Sequence, residues 1–175
     1  MVFFEISSFR DFVIKAFKIF RGTFYLNSQR RKPFWETKPL EQMTRKEWES
    51  LCDGCGRCCL QKLENRKTGK IDYTWVSCYL FDTQQCRCTA YAERILRVKG
   101  CSILTPSRVK EYRWLPRTCA YRLVADGKTL PQWHPLVTGD KNSVHAAGIS
   151  VKGRAIPETH VHPDDVAYYT IGERF

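Results

Sequence analysis

Residues 51–60 read LCDGCGRCCL, and four cysteines fall inside eight residues: Cys52, Cys55, Cys58 and Cys59. The pattern is C-x2-C-x2-C-C. A thiolate ligand sets its sulfur about 2.3 Å from a zinc ion, so two-residue spacers let one tight turn bring successive sulfurs to a common metal. Gly54 and Gly56 stand in those spacers and open left-handed backbone conformations there. The doublet is a different device. Adjacent side chains diverge, so Cys58 and Cys59 suit two metals, or two sides of one cluster, better than one mononuclear site.

Working outward, five more cysteines follow: Cys78, Cys86, Cys88, Cys101 and Cys119. From Ala120 to Phe175 there are none. The competing assignment is a disulfide framework. Three features oppose it. The total of nine is odd, an adjacent pair is awkward to bridge, and the first residues lack the order and cleavage site of a secretory signal. The reading is metal ligation by all nine, in a cytoplasmic setting.

The run at 51–60 resembles the signature of the bacterial YkgJ-type cysteine-cluster proteins, a zinc- or iron-chelating domain. The likeness extends to their YcgN-type branch through PFWETKPLEQMTRKEWESLCDGCGRCCLQKL at 33–63, CRC at 86–88 with Tyr91 after it, WLPRTCAYRL at 114–123 and LPQWHPLVTGD at 130–140. It covers roughly residues 33–157. The resemblance implies a metal-chelating domain and supplies no reaction.

The chain carries a net charge of +11. Between Arg57 and Arg122 stand fourteen Lys and Arg against five Asp and Glu, in the stretch that holds most of the thiols. Metal-ligating cysteines are deprotonated. We therefore read the excess as neutralising a metal–thiolate centre, in preference to a nucleic-acid patch. Metal ions are the expected partners, and the residues do not identify a protein partner.

Residues 2–26 have Phe9, Phe12, Val13, Ala16, Phe17 and Phe20 at helical spacing, opposite Arg10, Asp11, Lys15, Lys18 and Arg21. Charges interrupt every apolar run, which excludes a spanning helix. Three readings stand: a helix docked on its own domain, a peripheral membrane contact, or a start-site extension. The division is an N-terminal amphipathic extension at 1–32, a cysteine-cluster metal-binding domain at 33–157 and a C-terminal tail at 158–175.

Within the domain, the pattern predicts a helix over 40–51 that delivers Cys52, and a short helical continuation over 60–63. A strand is expected at 71–81, in a hairpin that returns Cys78 to the cluster. Further helices are expected over 86–98, after Thr105 and over 119–127, with a strand over 148–156. The expected fold is α+β: a small, loop-rich, metal-organised single domain of short helices and a small hairpin or sheet, preceded by the amphipathic helix. His134 reads as structural or ligating, and His160 and His162 as exposed. Trp75, Tyr79, Trp114 and Tyr121 read as core rather than as a shield over metal.

No phosphate-binding glycine loop, G-x-S-x-G elbow or H-E-x-x-H is present. Zinc and iron–sulfur clusters both take four thiolates per centre. Iron, or an iron–sulfur cluster, is slightly favoured over zinc because no conventional zinc ribbon is visible. Two functional classes remain: a metal-binding module, or a redox or catalytic protein using an iron–sulfur or polynuclear iron centre.

Overall fold

Thr44 sets the entry to the cysteine run. Its side chain accepts the Glu47 N–H at 3.2 Å, and the Glu47 carboxylate accepts the Thr44 N–H at 2.8 Å. This capping box satisfies two amides that a helix start leaves open. The computed structural model describes residues 32–172, so the amphipathic segment at 2–26 lies outside them. Helix α1 (Phe34–Thr37) and a 3-10 turn over Leu40–Gln42 come first, and α2 (Arg45–Ser50) follows Thr44. The single helix expected over 40–51 is thus two pieces, because the Thr44–Glu47 box starts a new helix.

Trp48 turns inward from α2. It stacks on Tyr121 with ring centres 4.6 Å apart and donates its indole N–H to Leu104 O at 2.9 Å. Around it Met43, Leu51, Tyr112, Leu115 and Leu130 close the larger of two apolar cores. Phe34 and Trp35 pack against its edge. Full burial of one such side chain contributes about 1.5–3 kcal/mol.

After the cysteine run the chain becomes a strand, β1 (Leu60–Glu64), where a short helix was expected. It pairs antiparallel with β2 (Ile71–Ser77), whose ladder takes up its amides. Asn65 closes the hairpin by accepting the Lys67 and Thr68 N–H groups. The hairpin itself was legible from its turn residues and β-rich second arm. A two-residue ribbon follows, β3 (Phe81–Asp82) with β4 (Arg87–Cys88).

The helix expected over 86–98 shrinks to α3 (Arg94–Arg97). Cys86 takes a positive φ of 54°, which turns the chain back to pair β4 with β3. After Thr105 there is only a 3-10 turn at Val109–Glu111. Next come α4 (Ala120–Ala125), α5 (Pro135–Thr138) and α6 (Ser143–Ala146). The strand expected over 148–156 is reduced to β5 (Ile156–Pro157), parallel to β2. Gly148 and Gly153 at positive φ bend the stretch between them.

Residues after Pro157 belong to the same unit as the cysteines. Thr170 bridges to Thr74, and the Ile171 N–H donates to Tyr73 O at 2.7 Å. Ile171 joins Leu60, Phe81, Cys86 and Val151 in the second core. The fold is α+β, built from short helices and two small sheets. Among the described residues no helix is long and apolar enough to cross a membrane.

Candidate metal centre

The run after α2 alternates between buried and open positions. Leu51, Asp53, Cys55 and Arg57 point inward, while Cys52 and Cys58 remain solvent-accessible. Both reversals fall on glycines, Gly54 at φ 77° and Gly56 at φ 75°. Gly56 has a second reason to be glycine: a Cβ there would stand 2.5 Å from Phe81 Cζ and 2.9 Å from Cys86 Sγ. Val151 N–H donates to Cys55 O at 2.9 Å and fastens the loop from behind.

His134 holds the front of the loop. It is fully buried, its Nδ1 accepts the Leu136 N–H, and its Nε2 stands 3.1 Å from Leu51 O. An accepting Nδ1 makes Nε2 the protonated nitrogen, so Nε2 donates to that carbonyl. Both ring nitrogens are engaged, and the residue is structural. Burial pushes its pKa down. His160 and His162 are exposed.

The sulfurs fall into two neighbourhoods that overlap at Cys58, whose charge reaches Cys59 and Cys86 as well as Cys52, Cys55 and Cys119. In the first, the charges of Cys52, Cys55, Cys58 and Cys119 act on one another. Cys119 arrives there as the N-cap of α4, held by the Trp48–Tyr121 stack. Arg57 also reaches across, with Nη1 3.4 Å from Thr118 Oγ1. In the second neighbourhood, the Cys78 N–H donates to Cys59 O at 3.0 Å. The β3–β4 ribbon returns Cys88 beside Cys78 and Cys59, whose thiols both feel its charge. Tyr79 donates its hydroxyl to Arg97 O at 3.1 Å, and the segment beyond carries Cys101, whose charge reaches Cys78. Cys86 lies in the second core, with its thiol donating to Gly54 O at 3.3 Å, and the Cys58 charge reaches it too.

One local turn recurs at four of these cysteines. Backbone N–H groups donate to sulfur from Gly54 to Cys52, from Arg57 to Cys55, from Leu80 to Cys78 and from Tyr121 to Cys119. At Cys119 the Arg122 N–H, three residues on, donates as well and lowers the thiol more. Such bonds favour the thiolate. Burial opposes them and wins in the metal-free chain: the Cys52, Cys55 and Cys78 thiols are pushed up, and Cys119 reaches about 12.

Cys58 is the exception. The Cys59 thiol donates to its sulfur and lowers it to about 7, while Cys59 is driven up for the same reason. Lys62 also lowers Cys58. Lys62 donates to Cys58 O and Leu60 O and lies 4.9 Å from the centre of the Trp114 ring and 5.4 Å from that of Tyr73. Arg57, buried beside Cys55, is the second cation among the sulfurs. It donates Nε to Ile149 O at 2.8 Å.

One group in the site was not singled out in the sequence. Asp53 is buried, its Oδ1 accepts the Cys55 N–H at 2.9 Å, and its Oδ2 has no hydrogen-bond partner among the described residues. The signal was present, a carboxylate inside the cysteine run, but the cysteines around it drew the reading.

All nine thiols are free. Among the described residues, no group of three or more Cys, His, Asp or Glu side chains is arranged to hold a metal ion. The chemistry of the donors nevertheless suits a thiophilic ion: nine unoxidised thiols and a buried oxygen left unsatisfied.

Residues 51–120 match the family model CxxCxxCC, described as "Putative zinc- or iron-chelating domain". A UPF0260 protein of Granulibacter bethesdensis is 60% identical over 131 residues, 75% of this chain and 79% of that one. The chain belongs to the UPF0260 family. A UPF0260 protein of Pseudomonas aeruginosa is 56% identical over 140 residues, 80% of this chain and 94% of its own. One from Sinorhizobium fredii is 54% identical over 139 residues, 79% and 90% of the two chains. No solved structure matches. Metal chelation through the cysteine domain is thus the property this UPF0260 chain shares with the matched family model.

Proposed function

We propose that this UPF0260 protein is a metal-binding module that holds two ions of iron or zinc. The first would be ligated from Cys52, Cys55, Cys58 and Cys119, the second from Cys59, Cys78, Cys88 and Cys101. What supports the reading is the overlap of two sets of mutually interacting thiols at the adjacent Cys58 and Cys59. Cys86, packed in the second core, is left out of both sets in this proposal. Arg57 beside Cys55, and Lys62 beside Cys58 and Cys59, offset the thiolate charge. A reducing compartment such as the cytoplasm would keep nine thiols free.

Of the two metals we favour iron, since the run supplies overlapping C-x2-C turns rather than the two separate ones of a zinc ribbon. A redox role for that iron is the second reading; the contact between the adjacent Cys58 and Cys59 thiols favours it.

Metal analysis of the full chain purified without oxygen tests both points. Two equivalents of metal are expected, and Cys58→Ser and Cys59→Ser are each expected to fall to one. Unchanged metal content in both variants would sink the assignment. Visible absorbance that bleaches on reduction identifies redox iron, and a colourless, inert protein identifies zinc.

A further inference from the structure

Burying a carboxylate without a partner costs several kcal/mol, and folded chains avoid it unless the group is paired or ligates a metal. Asp53 has no such partner for one of its oxygens. Only 7% of the residue is exposed, and Oδ2 is sealed from solvent without a hydrogen bond among the described residues. Oδ1, by contrast, is pinned by the Cys55 N–H at 2.9 Å, so the plane of the carboxylate is held.

The surroundings say what Oδ2 is for. The Asp53 charge bears on Cys52, Cys55, Cys58, Cys86 and Cys119, five of the nine thiols. All four sulfurs of the first group are among them. The buried Arg57 guanidinium also feels the Asp53 charge, yet Oδ2 receives no hydrogen bond from it. A divalent cation among these donors would give Oδ2 the partner it lacks. Iron and zinc each accept carboxylate oxygen beside sulfur.

We propose that Asp53 is itself a metal ligand, through Oδ2, in the group of Cys52, Cys55, Cys58 and Cys119. The inference rests on the metal-binding reading above. It makes the two centres unlike: the second is all sulfur, and the first has a mixed sulfur and oxygen donor set. Five donors exceed what a closed tetrahedral site needs. The oxygen therefore confers a position that exchanges more readily than thiolate, and the first centre is the one that gives up its metal.

The test uses the full chain carrying Cys59→Ser, which keeps only the first group, loaded with zinc and studied by zinc-edge X-ray absorption. The expected spectrum has a sulfur shell near 2.3 Å and an oxygen shell at about 2.0–2.2 Å. Adding Asp53→Asn, which preserves shape and the acceptor for Cys55 N–H, should abolish the oxygen shell and weaken zinc at least tenfold. A sulfur-only spectrum, or an oxygen shell that survives Asp53→Asn, overturns the proposal and leaves the metal reading standing. Absence of zinc from the unmodified chain as well would overturn both. Where Cys59→Ser does not fold, as judged by circular dichroism, the same pair of spectra on the otherwise unmodified chain reads the same shell at about half weight.

Discussion

Two glycines in one loop separate two kinds of backbone demand. Gly54 and Gly56 share a left-handed φ, but only Gly56 is walled in, by Phe81, Cys86 and Val151. Replacing Gly54 by Ala should cost about 1–2 kcal/mol from conformation alone. Gly56→Ala adds overpacking and should cost about 2–5 kcal/mol in all, read as the difference in urea midpoint. Equal costs would show that the packing around Gly56 yields. His134 gives a pH prediction. Its neutral form carries both hydrogen bonds, and its folded pKa is depressed. The unfolded chain therefore gains a proton first as pH falls through about 6.5, and the stability His134 supplies is present above that pH and lost below it. With metal saturating, His134→Gln should be about 1–3 kcal/mol less stable than the parent at pH 7.5. That gap should narrow by pH 5.5 in denaturation midpoints; a constant gap contradicts the neutral assignment. At this scale the cysteines were legible because thiolate spacing is a local signal. Asp53 was not, because what marks it is the missing partner of one oxygen, which only the folded surroundings reveal.

Elements here are short, and each is set by what it must present. The β1–β2 hairpin was legible because Asn65 and Gly69 are turn residues and Ile71–Ser77 is rich in β-branched and aromatic side chains. The misread elements were decided by tertiary pairing instead. Residues 86–98 have helical composition, yet β4 must reach β3 to bring Cys88 home, and Cys86 takes an uncommon φ to allow it. Likewise 148–156 alternates like a strand, but Val151 is needed as a donor behind Cys55. The hairpin carries a testable consequence. Asn65→Ala removes two bonds that shape its turn, and should cost about 1 kcal/mol. Because the hairpin positions Cys78 against Cys59, the metal held by the second group should weaken while the first is unaffected. Zinc competition titrations resolve the two equivalents, and equal weakening would argue against the division.

For the molecule, apolar area is thinly spread over two modest cores, and the sulfurs lie between elements of both. Binding of structural metal adds on the order of 10 kcal/mol of apparent free energy, more than many domains possess in total. Chelation should therefore abolish hydrogen-exchange protection across residues 51–125, as should Cys58→Ser with Cys59→Ser; native protection in both would return the cysteines to a thiol role. Removing residues 1–32 should leave metal content unchanged, and its loss would make that segment part of the domain. The doublet has a final consequence. Cys58 and Cys59 share one peptide bond and their thiols are in contact, so whichever ion arrives first fixes the backbone that the other requires. Uptake should then be cooperative. At half-saturating metal, native mass spectrometry should show empty and doubly loaded chains with few intermediates, making the protein a switch responsive to metal concentration rather than a graded buffer.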